Sequence, residues 1–336
     1  MMRLCDACGA RPAVIYQHQM QRALCRECFM EDIASRVKRE VQRWRMIEEA
    51  DKVLLAISGG KDSFVLLDVL SRIHRPSKLI GLSIIEGIPG YNRKEDIIKM
   101  REYARERGVD LLITSIREYV GLSLNEIVRR ARSRGVGVSP CTYCGMLRRR
   151  IINFYARMLG ATKVATAHNL DDEAQTVVVN ILRGDVIGLM RAHPLAPPAS
   201  KRLVQRIKPL RKVYEWENAA YAYYSGFKFQ EVECTYINLA PTLRARIRRA
   251  LQRMERERPG ILLNLLEMID DLIEDLALSS EGDVLGLCEL CGEPTTIGRR
   301  YCKICELLGK AGVVNPVYRI PSSRTQNLLG GNTSIE

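Results

Sequence analysis

Between residues 53 and 167, short apolar runs alternate with amphipathic stretches, and this alternation limits the possible folds more than any other feature of the chain. Val53 to Ile57 reads as a β-rich run, Asp62 to His74 as a helix, Lys78 to Ile85 as a second strand and Arg93 to Arg107 as a second helix. Val109 to Ile116 and Lys163 to Ala167 continue as strands, with helical stretches between and after them. The expected class is therefore α/β with a mostly parallel sheet. Further on, Pro241 to Glu257 and Ile261 to Leu278 read as two helices separated by Pro259-Gly260. The second carries Leu262, Leu265, Leu266, Ile269, Leu272, Ile273 and Leu276 at helical spacing, a core-packing pattern.

Ser58-Gly59-Gly60-Lys61-Asp62-Ser63 follows the first strand and opens the first helix of this pattern. Backbone N–H groups and the helix dipole converge there on one anion site at the carboxyl edge of the sheet. A Walker A loop needs GxxxxGK followed by Ser or Thr, whereas Asp62 stands at that place. The segment instead resembles the PP-loop of the ATP pyrophosphatase superfamily. That resemblance implies that Ser58, Gly59, Gly60, Lys61, Asp62 and Ser63 hold the β and γ phosphates of ATP. It also implies activation of a carbonyl oxygen as its adenylate, with loss of pyrophosphate. Ile84, near the end of the second strand, is expected at the same nucleotide. A second strand-to-helix junction, Thr166 to Glu173, should face the same crevice, with His168 and Asn169 near the nucleotide. Asp171 or Asp172 would hold Mg2+ or take a proton there; the alternative is a capped helix start whose acids complement the macrodipole.

The eleven cysteines fall as four, three and four. Cys5, Cys8, Cys25 and Cys28 form one set of paired CxxC spacings, and Cys288, Cys291, Cys302 and Cys305 another. Each supplies the four thiolates of a tetrahedral Zn2+ site, so two zinc knuckles are expected, without His18 as a ligand. Cys141, Cys144 and the distant Cys234 are one ligand short of such a shell. They read as buried inert thiols, as a redox or persulfide pair with a bystander, or as three ligands of an iron-sulfur cluster with one iron not bound by protein. Cys141 and Cys144 precede a helical run with Arg148 and Arg149 close by, two features that lower a thiol pKa.

Lys and Arg number 52 against 39 Asp and Glu, a formal charge of +13, which favours a polyanionic partner. The arginines cluster at 129–134, 148–150 and 244–249, and only 6% of residues are aromatic. That balance fits folded RNA read by shape and phosphate better than a stacking platform for single strands. The first residues carry no apolar signal stretch, and no run approaches the ~18 apolar residues of a membrane span. A cytoplasmic protein with no membrane partner is expected.

The order SGGKDS, CTYCG followed by LRR, HNLDDEA, NILRGD, a lone Cys, CELCG and CKIC resembles the tRNA 2-thiouridine synthetases of the two-zinc-finger PP-loop group, from Cys5 to about Leu308. The resemblance implies a 4Fe-4S cluster on Cys141, Cys144 and Cys234, beside Arg148. It also implies ATP with Mg2+, two Zn2+, adenylation of a tRNA uridine at its C2 oxygen, and displacement of AMP by cluster-bound sulfur. The implied partners are tRNA, a ubiquitin-like sulfur carrier or free sulfide, and a second copy of the chain. Arg148 and Cys25 stand where the branch acting on the T-loop uridine tends to have Lys and His. NILRGD resembles the wobble-uridine branch and HNLDDEA the T-loop branch; the wobble uridine is the expected target. A tRNA 2-thiocytidine synthetase would lack the terminal knuckles, an amidating or lysidine-forming ligase would not need the central cysteines, and a non-enzymatic zinc RNA-binding protein would not need Lys61.

The expected organisation is a knuckle over 1–29, a linker helix over 30–50, a PP-loop domain over 51–240 and a helical extension over 241–280. A second knuckle over 281–310 and a mobile tail over 311–336 complete it.

Overall fold

The computed structural model describes residues 3–91, 94–228, 234–236, 243–277 and 285–313. Of the tail expected over 311–336, residues 314–336 lie outside the described residues, as does the start of the helix expected at Pro241, while Ala311 and Val313 are buried. The N-terminal part holds β1 (Ile15–Gln17), β2 (Arg22–Leu24) and α1 (Arg26–Arg43). Next come β3 (Val53–Ala56), α2 (Lys61–Ile73), β4 (Leu79–Ile85), α3 (Lys94–Glu106), β5 (Asp110–Ser115), α4 (Ile116–Val120), α5 (Leu124–Ser133) and α6 (Pro140–Met158). The chain continues through β6 (Lys163–Thr166), α7 (Leu170–Arg183), α8 (Val186–Ala192), β7 (Gln205–Ile207) and α9 (Glu215–Tyr224). The last elements are α10 (Leu243–Glu257), α11 (Ile261–Ala277), β8 (Leu285–Leu287), β9 (Pro294–Thr296) and α12 (Lys303–Lys310).

Strands β5-β4-β3-β6-β7 form one sheet whose pairings are all parallel. Strand β3 shows why it lies in the middle. Val53 and Leu55 pack into one core with α1 and α2, and Leu54 packs into a second core with α4 to α6. Both faces are covered, as an uninterrupted apolar strand requires. Each fully buried Leu contributes about 1.5–3 kcal/mol. The chain runs from β3 outward to β4 and β5, then returns to the other side of β3 with β6.

The knuckles are continuous with these cores. Cys5, Leu24, Cys25 and Phe29 belong to the first core, and Cys288, Cys302, Ile304 and Leu308 to the second. Helix α1 starts inside the N-terminal knuckle, earlier than the linker expected at residue 30, because Cys25 caps it by accepting from the Cys28 N–H at 3.5 Å. It stops at Trp44, followed by Arg45 at φ 44°.

A third core joins α7, α10 and α11. Leu262, Leu266, Ile269 and Ile273 are buried there, whereas Leu272 is 61% exposed, contrary to the core role its spacing implied. Arg211, 2% exposed, ties α11 to α1: its Nη1 donates to Glu40 at 2.9 Å and its Nη2 to Asp270 at 2.6 Å. A guanidinium so deeply buried persists only when carboxylates answer it.

Candidate active site

The carboxyl ends of β3 and β6 flank the point where the strand order reverses, so the loops after them open on one crevice. Gly59 takes φ 86°, a conformation that a side chain would strain. Gly60 caps α2 without a side-chain acceptor, which leaves the leading N–H groups of the helix available to an anion. Ser63 Oγ donates to the Gly60 carbonyl at 2.9 Å, and Ser58 Oγ donates to Ser63 Oγ at 3.3 Å, which fixes the loop from within.

Asp62 is the strut of the crevice. Its Oδ1 accepts from Asn169 Nδ2 at 3.0 Å and Asn218 Nδ2 at 2.8 Å, joining α2 to α7 and α9. Its Oδ2 accepts from Lys61 Nζ at 3.0 Å. Lys61 also reaches Glu215 at 3.2 Å, and Glu215 is held in turn by Arg248 of α10 at 2.8 Å. Asn169 uses its other end to cap α7, its Oδ1 accepting from the Asp172 N–H at 3.0 Å. His168 Nδ1 lies 2.8 Å from Thr166 Oγ1, and although the residue is exposed on one side, the protein packed around the ring lowers the imidazole's pKa, which favours the neutral ring.

The two adjacent acids diverge, as a helix requires. Asp171 accepts from the Glu215 N–H at 2.8 Å, and burial raises its pKa. Asp172 meets Arg244 of α10 at 3.5 Å near the surface. The Ile84 side chain is buried in the second core, and Ile84 is paired in register with Thr114 of β5, so its side chain is not presented to the crevice.

Cys141 and Cys144 stand in the opening turns of α6, which begins at Pro140 and not after the CxxC as the sequence suggested. Cys141 is exposed, while Cys144 and Cys234 are half-buried and pack against the second core. Tyr236 Oη donates to Asn125 Oδ1 at 2.7 Å and pins the Cys234 segment to α5. The expected lowering of the thiol pKa is wrong for Cys144. Burial pushes it up to about 12, outweighing the pull of Arg148, and the charges of Glu86, Cys234 and Cys141 add to the rise. Cys144 and Cys234 meet at one core, but the thiols of Cys141, Cys144 and Cys234 are not gathered within the 4.8 Å that unites each of the two four-cysteine sets. Arg148 Nε lies 3.5 Å from Glu86 Oε1, directly after β4. The burial-raised Tyr91 hydroxyl also feels Glu86, Arg148, Cys234 and Cys144.

The thiols of Cys5, Cys8, Cys25 and Cys28 lie within 4.8 Å of one another, as do those of Cys288, Cys291, Cys302 and Cys305. Both sets fit a tetrahedral ion of borderline softness, and His18 is in neither. Hydrogen bonds from Cys291 and Cys305 hold the Cys302 thiol far below its ordinary range, while Cys302 pushes Cys291 up to about 11. An arginine faces each set. Arg11 donates to Cys28 Sγ at 3.7 Å, and Arg150 donates to Cys302 Sγ at 3.1 Å and to Cys291 Sγ. A guanidinium there offsets the excess negative charge of four thiolates around one divalent ion. Arg150→Met is expected to weaken zinc retention at the C-terminal knuckle about 10–100-fold, measured as release to a competing chelator.

The N-terminal knuckle also reaches the crevice. Gln17 Nε2 donates to Glu217 Oε1 at 2.9 Å and Gln19 Nε2 does so at 3.0 Å, gripping the helix that carries Glu215 and Asn218. Glu215, Asn218, Glu86 and Tyr91 were not singled out from the sequence. Glu215 shares the first turn of its helix with Glu217, where acids read as dipole partners, and nothing local marks it as a lysine's counterion.

Residues 30–255 match the PP-loop domain family, and residues 4–30 match the N-terminal LIM domain of the 2-thiouridine synthetase TtuA. Cytoplasmic tRNA 2-thiolation protein 1 of Chlamydomonas reinhardtii is 32% identical over 337 residues, spanning 99% of this chain and 91% of that protein. The tRNA-5-methyluridine(54) 2-sulfurtransferase of Thermus thermophilus is 34% identical over 304 residues, 90% of each chain. The solved U34-tRNA thiolase NcsA of Methanococcus maripaludis, with its 4Fe-4S cluster, superposes with a TM-score of 0.71 at 30% identity. That match covers 90% of this chain and 95% of NcsA. With the PP-loop family matched over residues 30–255, relatives above 30% identity along most of the chain and two four-cysteine sets in one polypeptide, the chain belongs to the PP-loop family of tRNA 2-thiolation enzymes.

Proposed function

We propose that the chain is an ATP-dependent tRNA-uridine 2-sulfurtransferase acting on the wobble uridine. The observation that carries this reading is the adjacency of β3 and β4. The nucleotide loop follows β3, while Glu86, directly after β4, faces Arg148 at 3.5 Å and its charge acts on the Cys144 thiol. Adenylation and sulfur transfer then share one sheet edge.

The N–H groups opening α2, with Lys61, bind the β and γ phosphates of ATP. The uridine C2 oxygen attacks the α phosphorus, the new O–P bond forms, and pyrophosphate leaves toward Lys61. Lys61 can exchange its two carboxylates for the phosphates without stranding either acid, because Arg248 still answers Glu215 and two asparagines still answer Asp62. Asp171 or Asp172, at the start of α7, would hold the Mg2+ that accompanies ATP, and the ion would offset phosphate charge there. Sulfur next bonds to C2 and the C2–O bond breaks, so AMP departs with the uridine's former oxygen. Arg148 cannot serve as a base; its fixed positive charge stabilises the anion that develops in this exchange. A 4Fe-4S cluster held by Cys141, Cys144 and Cys234 supplies, when bound, an iron position at which sulfur is kept. The donor is sulfide or a carrier's thiocarboxylate.

Support for the wobble position comes from NILRGD, from Arg148 in place of a lysine, and from the U34 thiolase named among the similar structures. HNLDDEA and the similar position-54 enzyme favour the T-loop uridine as the second reading. Incubation with tRNA, ATP and sulfide under anaerobic conditions, followed by nucleoside mass spectrometry mapped by position, is expected to give 2-thiouridine at the wobble position. 2-Thiouridine in the T-loop alone would select the second reading, and 2-thiocytidine would overturn both.

A further inference from the structure

A cavity of about 630 Å³ opens between α6, β7 and the C-terminal knuckle. Its lining includes Arg149, Arg191, Arg206, Lys208, Arg299 and Lys303. Its one acid, Glu293, is already paired with Arg157. Lys208 and Arg299 also have carboxylate partners, Glu173 at 2.6 Å and Glu306 at 2.7 Å. Arg149 and Arg206 have none among the described residues. Arg206 is instead tethered by donating from Nη2 to the Arg149 main-chain carbonyl at 3.2 Å, which holds two like charges side by side. Both residues keep an exposed side toward the cleft, yet the surrounding protein atoms and the neighbouring Arg149 pull the Arg206 guanidinium down to about 10, and Arg149 is lowered in the same way by its surroundings and by Arg148.

Two crowded guanidiniums without a counterion, in a cleft of this size, form a site for an anion that the protein itself does not supply. The position of the cleft identifies the anion. Arg149 follows Arg148 in sequence and lies within the field of the Cys144 thiol. The floor of the cleft, β7, pairs with β6, whose end carries His168. A polyanionic strand lying here would run alongside β7, which pairs with the strand leading to His168, and planar guanidiniums match phosphate oxygens in pairs.

Resting on the functional reading above, we infer that Arg149 and Arg206 together bind a phosphodiester of the substrate tRNA beside the target nucleotide. The C-terminal knuckle forms the opposite wall of this cleft.

The test uses the full chain and a tRNA transcript, with affinity measured from about 50 to 200 mM salt. The double variant Arg149→Gln/Arg206→Gln is expected to bind tRNA about tenfold more weakly. Its plot of log affinity against log salt should be shallower by about one phosphate contact. Zinc content should be unchanged. The melting temperature of the free protein should be unchanged or higher, because a repulsion has been removed. Lysine at both positions should restore the salt slope. Wild-type affinity and slope in the double variant would overturn the inference. So would weaker binding accompanied by zinc loss or a lower melting temperature, which would make the pair structural. Undiminished tRNA affinity, with thiolation lost only when a protein sulfur donor replaces sulfide, would assign the pair to that donor's carboxylate and overturn it as well. A wild-type chain that neither binds nor thiolates tRNA defeats the functional reading itself, whereas a wild-type chain active beside an unaffected variant defeats only this inference.

Discussion

Lys61→Ala is expected to slow tRNA-dependent pyrophosphate release by about 10²–10³-fold, the usual cost of removing a charged group aimed at developing negative charge. Its tRNA affinity should not change. The reasoning is local. In the free protein the ammonium rests between Asp62 and Glu215, at 3.0 and 3.2 Å. Removing it strands neither acid, since Asp62 keeps Asn169 and Asn218, and Glu215 keeps Arg248. The fold is therefore preserved, and the defect falls on the phosphates. Quench-flow measurement of pyrophosphate, together with a tRNA binding isotherm, separates the two quantities. Equal losses in both would place Lys61 on the RNA and remove the ATP site from the loop after β3.

Cys144→Ala should have an equally large effect by a different route. Anaerobically reconstituted protein is expected to lose its bound iron and sulfide, and thiolation should fall to background, while ATP-dependent pyrophosphate release continues. Cys144 is half-buried in a site where its own ionisation is opposed, so as a free thiol it is a poor nucleophile at pH 7. A persulfide role would need the opposite tuning. Iron and acid-labile sulfide analysis, alongside electron paramagnetic resonance of the reduced protein, distinguishes the cases. Full iron content in Cys144→Ala with no thiolation would favour a persulfide on that residue, and full activity would remove it from the chemistry.

The features legible in the sequence were those encoded by short-range pattern. Val53 to Ile57 followed by SGGKDS specified a strand, a phosphate-binding turn and a helix, and the structure has β3 and α2 there. The paired CxxC spacings specified two thiol sets, which converge. Long-range features were hidden. Strand β7 is three residues long and reads Gln-Arg-Ile, with no apolar run to announce it, and it takes its place from pairing with β6. Glu215 and Asn218 reach the nucleotide loop from more than 150 residues away, so no spacing rule connects them to Lys61 and Asp62. The pKa of Cys144 was misread because proximity to a helix start and two arginines is visible in sequence, whereas burial is not.

Helix α6 carries Cys141 and Cys144 at its start, buries Tyr143 against the C-terminal knuckle with its hydroxyl 3.5 Å from the Leu307 carbonyl, and sends Arg148 to Glu86. Two residues later, on nearly the opposite side of the helix, Arg150 grips the knuckle's thiols. Each residue of an α-helix advances by about 100°. One inserted or deleted residue between Cys144 and Arg148 would therefore swing every later side chain away from its partner, separating the sulfur site from the knuckle in a single step. Length change is closed to this segment, and divergence among related enzymes here must proceed by substitution at fixed register.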